Sequence, residues 1–210
     1  MKDKRERLIE AGVFQFSLYG INNARVEDIT KQAGVAKGTF YTYFKSKEDL
    51  LEQLMEMNME RYTDLFVAIK ESNLNFEGKV KMYLKQRLKK FAEHPKFFYM
   101  ILSLRNNGEI KILHGLRKKL GKRGDKLIKK FFQEHIEEIK EEYRKELDII
   151  CPSIMASLFI YQDVIAEKID VDITCEEDYG EINKKLLELD FNKYVKQFYN
   201  LNIKEMLREG

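Results

Sequence analysis

Apolar residues recur at helical spacing along most of the chain, and the breaks between repeats fall at glycine, asparagine or proline. Ile9, Val13 and Phe16 share one face of a segment from Lys4 to Tyr19, and Gly20 stands where a left-handed helix stop is needed. After a turn at Asn22 and Asn23, Val26, Ile29 and Ala33 mark a short second helix that stops at Gly34. Val35, Phe40 and Phe44 carry the buried face through a third short helix. Ser46 is suited to cap a long helix running from Lys47 towards Lys70, with Glu48 and Asp49 in its first turn. Further helices are expected over Phe76 to Ala92, Pro95 to Arg105 and, long and charged, about Glu109 to Arg144, with a break at Gly121 or Gly124. Pro152 is expected to open an apolar helix to about Lys168. An acidic loop, Asp170 to Gly180, then leads to a final helical segment ending near Arg208.

Composition supports an all-α fold, since 2 Pro and 11 Gly against 35% charged residues leave little to punctuate many short strands. The 210 residues suit a small head followed by a larger body, and the pattern places the division after residue 47, with a body of residues 48–210. Cys151 and Cys175 have neither CxxC spacing nor histidine neighbours, so no zinc site is expected and a reduced, cytoplasmic setting fits. The N-terminus is amphipathic rather than a signal core, and no run is expected to approach the ~18 apolar residues of a membrane span. Of the 38 basic and 35 acidic side chains, nine and five fall within residues 1–47, an excess of +4 against an overall +3. The positive excess therefore lies in the N-terminal quarter.

That quarter also meets the demands of a helix-turn-helix: two short helices at a steep angle, a sharp turn, and small and apolar residues where they cross. Ala33 is small at the crossing, Gly34 allows the turn, Val35 plugs the angle, and Phe40 and Phe44 pack the second helix onto the first. Gly38, Tyr41 and Thr42 are left on the opposite face, with Lys37 at the helix start, where groove edges and phosphates are met. The stretch Ala33-Gly-Val-Ala-Lys-Gly-Thr-Phe-Tyr-Thr-Tyr-Phe-Lys-Ser-Lys-Glu-Asp-Leu50 resembles the recognition-helix signature of the TetR family of bacterial transcriptional regulators, and Leu8-Ile-Glu-Ala-Gly12, Phe16 and Gly20 extend the resemblance to the first helix. It covers about residues 5–55.

The resemblance implies a three-helix DNA-binding head and a helical body that binds an effector and dimerises. It places Lys37, Gly38 and Thr42 towards base edges, and Thr39, Tyr41, Tyr43 and Lys47 against phosphates. The chain departs from the pattern at Ala36, where a serine cap is usual, at Arg25 for a threonine before the second helix, and at Gln15 for an apolar residue. A missing cap costs about 1 kcal/mol of local helix stability, whereas Arg25 adds a candidate phosphate contact. The resemblance also implies a homodimer built on the last two helices, with Ile154, Leu158, Tyr194, Phe198 and Leu201 as candidate interface residues and a two-fold operator as target.

Aromatic residues are dense in the middle of the chain. Tyr62, Phe66, Phe98, Phe131 and Phe159, with His135 and Gln162 to fix orientation, are candidate walls of a pocket for a small, largely apolar effector, although such residues more often form plain core. The basic stretch from Lys111 to Lys130 precedes acidic Glu134 to Glu142 and reads first as a solvated helix face. An enzyme would need clustered catalytic groups, whereas His94, His114 and His135 lie apart without a supporting nucleophile. The competing regulatory reading is an architectural or protein-controlled DNA-binding factor with the same head and no effector.

Overall fold

In a computed structural model, which describes residues 2–116, 122–169 and 178–208, the chain is helical, and among the described residues there is no strand beyond one isolated bridge between Ile139 and Leu207. The helices are α1 (Lys4–Asn23), α2 (Val26–Gln32), α3 (Lys37–Tyr43), α4 (Lys47–Lys70), α5 (Phe76–Glu93), α6 (Pro95–Asn106), α7 (Ile110–Leu116), α8 (Lys122–Glu134), α9 (Glu141–Arg144), α10 (Leu147–Glu167), α11 (Asp178–Leu187) and α12 (Phe191–Asn202). They form two compact units. The first comprises Met1–Glu60, His94–Gly121 and Asp172–Gly180, and the second Arg61–Glu93, Lys122–Val171 and Glu181–Gly210. Compactness therefore does not divide the chain after residue 47. Met100 and Leu104 of α6 and Leu116 of α7 share one buried cluster with Leu8, Phe16, Phe40 and Leu50, covering apolar surface that α1 to α3 alone would leave open.

Local signals set the limits of the N-terminal helices. Asp3 and Glu6 form a reciprocal capping box at the start of α1, the Glu6 N–H donating to Asp3 Oδ1 at 2.7 Å. Gly20 adopts the expected left-handed conformation (φ 70°), but it kinks the helix rather than ending it, and one further turn runs to Asn23. The Asp49 N–H donates to Ser46 Oγ at 3.2 Å, so Ser46 caps α4 as its sequence context suggests.

Three expectations for the body are corrected. Glu109 to Arg144 is not one helix. Gly121 lies outside the described residues and Gly124 falls within α8, while the chain leaves the helix at His135 and passes through a 3-10 turn (Ile136–Glu138) into extended Ile139. There Lys140 N–H donates to Met206 O and Arg208 N–H to Glu138 O, both at 2.9 Å, so backbone pairing with the C-terminal segment takes over from the helix ladder. Pro152 does not open its helix, since α10 begins at Leu147 and carries the proline inside. The final segment is two helices, with Asp190 capping α12 through the N–H groups of Asn192 and Lys193. The acidic loop falls almost wholly outside the described residues.

Against the expectation for apolar runs, α10 has 21 residues and a window of mean hydropathy 1.7, long and apolar enough to cross a membrane by length and composition. Its burial is that of a helix seated on a protein core: Leu147, Cys151, Ile154, Leu158, Gln162 and Ile165 form one inward stripe, while Ile149, Ile160 and Val164 are exposed.

Candidate nucleic-acid interface

The crossing of α2 and α3 is built as the motif demands. Gly34 sits at φ 63°, Ala33 is buried, and Val35 N–H donates to Thr30 O at 3.0 Å, closing the turn. Phe40 and Phe44 are fully covered, their ring centroids 5.4 Å apart, and they fix α3 from beneath. The outer face is free of core duty. Lys37, Gly38, Thr42 and Tyr43 are exposed, Tyr41 is 53% exposed, and Thr39 is half-buried. A Cβ added at Gly38 would meet nothing within 4 Å, so packing inside the chain does not require glycine there. Thr42 Oγ1 donates to the Gly38 carbonyl at 3.3 Å and keeps its acceptor capacity.

The charged residues of this face are partly engaged. Lys37 pairs with Glu27 of α2, and the Lys37 hydrogen bond holds the Glu27 carboxyl below its ordinary range while Glu27 raises Lys37. Both are exposed, so water screens the pair and a competing anion can displace it. Lys47 Nζ donates to the carbonyls of Asn22 at 3.0 Å and Ala24 at 3.1 Å, which spends two of its three donors on the end of α1. Arg25 precedes α2, exposed and making no capping bond. Asn22, Arg25, Glu27, Tyr41, Lys45 and Lys47 line one open cavity of about 450 Å³. Lys45, Asn22 and Glu27 were not foreseen. Lys45 was visible as a basic residue two places before Lys47, whereas the other two become neighbours only when α1 and α2 turn.

Of the candidate effector residues in the second unit, Phe66 and Phe131 line a shared cavity. Phe98 is buried in the first unit, and Tyr62 lies on α4 with its side chain outside the described set. In the second unit Phe66 and Phe131 are buried with centroids 5.9 Å apart, and they line a cavity of about 20 Å³ with Tyr83, Met155 and Ile203. That is room for about one water molecule. His135 stacks on Phe76 at 4.7 Å, Gln162 donates to the Arg87 carbonyl at 3.5 Å, Phe159 is half-buried, and none of the three lines that cavity. In the basic stretch, Lys129 pairs with Asp148 at 2.6 Å, and Arg117, Lys118 and Lys119 lie outside the described residues.

The candidate dimer residues need a correction. Leu158 and Phe198 are 0% and 1% exposed and Ile154 is buried, all within a single chain, so they belong to its core and have no surface to offer a partner. Tyr194 is half-buried and Leu201 is 79% exposed. Helix α10 is apolar on both faces, and periodicity alone could not say which one turned inward.

Residues 8–54 match the model of the family described as bacterial regulatory proteins, tetR family. An HTH-type transcriptional regulator of Bacillus subtilis, YerO, is 27% identical over 194 residues, covering 90% of this chain and 65% of that one. The fatty acid metabolism regulator protein of the same organism is 42% identical over 67 residues, 30% of this chain and 34% of that one. The chain thus spans less than two thirds of the length of these relatives. Among solved structures, the transcriptional regulator FadR from Bacillus subtilis in complex with stearoyl-CoA superposes with a TM-score of 0.68 over 96% of this chain and 98% of that one, at 21% identity. At that identity the likeness is one of fold.

Proposed function

From the match of residues 8–54 to the model of bacterial regulatory proteins, tetR family, we propose that the chain is a TetR-type cytoplasmic transcriptional repressor that binds operator DNA as a homodimer and is released by a small, largely apolar effector. Residues 1–47 grip the duplex and residues 48–210 regulate and dimerise. The observation that carries the reading is the division of labour within α3: Phe40 and Phe44 lock its inner face, while Lys37, Gly38, Tyr41 and Thr42 stand exposed on a helix that does not need them for packing. A helix so presented fits the major groove, with Thr42 and Lys37 at base edges and Arg25, Tyr41, Tyr43 and Lys47 at phosphates. Two-fold pairing follows from the small size of one head, which makes too few contacts for high specificity alone. The outer face of α10, Ile149, Ile160 and Val164, with Leu201 of α12, supplies exposed apolar surface for a second copy.

For the effector, the aromatic walls around Phe66, Tyr83 and Phe131 supply apolar contact, and a ligand must part the helices to enter, because the cavity is about 20 Å³. That closed core also favours the second reading, a factor with the same head controlled by a protein partner. The stearoyl-CoA held by the Bacillus subtilis FadR structure makes long-chain acyl-CoA the first compound to try. The test is selection of bound duplexes from a random pool by the full chain, followed by competition. Enrichment of a pseudo-palindrome, released by acyl-CoA, is expected. No enriched sequence would refute DNA recognition, and a palindrome that no apolar ligand releases would transfer control to a protein partner.

A further inference from the structure

We propose that Glu109 is a positioning residue for DNA binding: it fixes the turn on which the Lys47 ammonium is held. The inference rests on the reading of Lys47 as a phosphate contact. Glu109 lies between α6 and α7, far in sequence from the head, and is 3% exposed. Its two carboxylate oxygens each accept one backbone N–H from the last turn of α1, Oε2 from Ile21 at 2.9 Å and Oε1 from Asn22 at 2.6 Å.

These donors exist because Gly20 breaks the ladder. At φ 70° the helix restarts after it, and the first N–H groups of the new turn have no helical partner, as at any helix start. The same kink gives the carboxylate room, since a Cβ at Gly20 would lie 2.8 Å from Glu109 Oε2 and 3.0 Å from Oε1. Glu109 is in turn presented by the end of α6, where its own N–H donates to Leu104 O at 3.0 Å behind left-handed Gly108.

The other side of the turn faces Lys47, whose ammonium takes the carbonyls of Asn22 and Ala24. An anion thus meets the N–H end of the turn and a cation its C=O end, each the favourable sign. Asn22 is gripped through both its N–H and its C=O. The ammonium held by two carbonyls keeps one donor for an outside acceptor, and it lines the open cavity beside Arg25, Tyr41 and Lys45. Loss of the carboxylate would leave two N–H groups without their acceptor and free the turn, so the carbonyl pair would no longer place Lys47.

The test uses the full chain and a random-sequence duplex, with Glu109→Gln, Lys47→Ala and the double variant. Binding is measured against salt, and amide exchange at Ile21 and Asn22 without DNA. Glu109→Gln is expected to keep the helical fold, speed exchange at both amides, weaken duplex binding about tenfold and lower the salt slope by about 0.9, the value of one phosphate contact. Lys47→Ala should lose the same amount, and the double variant no more than either, because both act through one contact. Additive losses, or a Glu109→Gln protein that is less stable yet binds with an unchanged slope, would overturn the inference. If Glu109→Gln does not fold, Glu109→Asp, which keeps the charge and shortens the reach, is read by the same criteria. A Lys47→Ala protein that binds like the wild type would instead refute the phosphate role of Lys47, and this inference with it. A normal Lys47→Ala loss beside an intact Glu109→Gln slope would refute this inference alone.

Discussion

Lys37 and Lys47 carry the same charge ten residues apart, yet their surroundings give them different work. Lys37 is restrained by one exposed carboxylate that a base edge or phosphate can replace, whereas Lys47 is anchored by two main-chain carbonyls. Selection with Thr42→Ala and Lys37→Ala should therefore relax preference at one or two operator positions, costing about 1–3 kcal/mol there. Lys47→Ala should weaken all sequences alike. Uniform losses from all three, with the preferred sequence unchanged, would mean that another face of α3 meets the groove. A different residue is expected to set the alkaline limit of the first unit. Tyr179 is buried, donates its hydroxyl to Ser17 Oγ at 2.5 Å, and burial pushes its pKa up to about 12. The unfolded phenol ionises near 10. The neutral form is thus favoured by folding, and its contribution is complete below pH 10 and lost as pH rises from about 10 to 12. Unfolding midpoints across that range should fall faster for the wild type than for Tyr179→Phe, and parallel curves would show that Tyr179 does not set the limit.

At the scale of elements, the buried and exposed faces of α10 should respond differently to substitution. Leu158→Asp buries a charge in the core and should unfold the second unit, costing about 3 kcal/mol or more. Ile160→Glu alters a side chain that is 56% exposed and should keep the helical spectrum while converting dimers to monomers in sedimentation. A dimeric Ile160→Glu protein would remove this face from the interface. The end of α8 shows where sequence reading fails. Apart from the extra turn of α1 beyond Gly20, helices α1 to α6 were legible because their limits carry local causes, such as left-handed Gly34, the Ser46 cap or Pro95 in a first turn. The break at His135 has no such cause, since it answers to Leu207 and Met206, some seventy residues on. The crossing of α2 and α3 and the exposed outer face of α3 were legible because the inner aromatics and the turn glycine are local. Glu109 was not, because its two donors lie 88 and 87 residues away and nothing in its neighbours announces them.

For the whole molecule, release by an effector is a coupling between two binding events, and the coupling must be reciprocal. If acyl-CoA lowers operator affinity by some factor, saturating operator should lower acyl-CoA affinity by that factor, as calorimetry with and without the duplex would measure. Unequal factors would mean that the ligand acts by displacing DNA at the groove or by unfolding the protein. The interleaved make-up of the first unit has a further consequence, for synthesis. Its core closes Leu8, Phe16 and Phe40 together with Met100, Leu104 and Leu116, so a nascent chain that has just delivered α3 still lacks part of the core that packs around it. At roughly 5 to 20 residues per second, the ribosome takes several seconds more to supply α6 and α7. Through that interval the part of the α1 surface that α6 and α7 cover stays bare, in reach of proteases and chaperones.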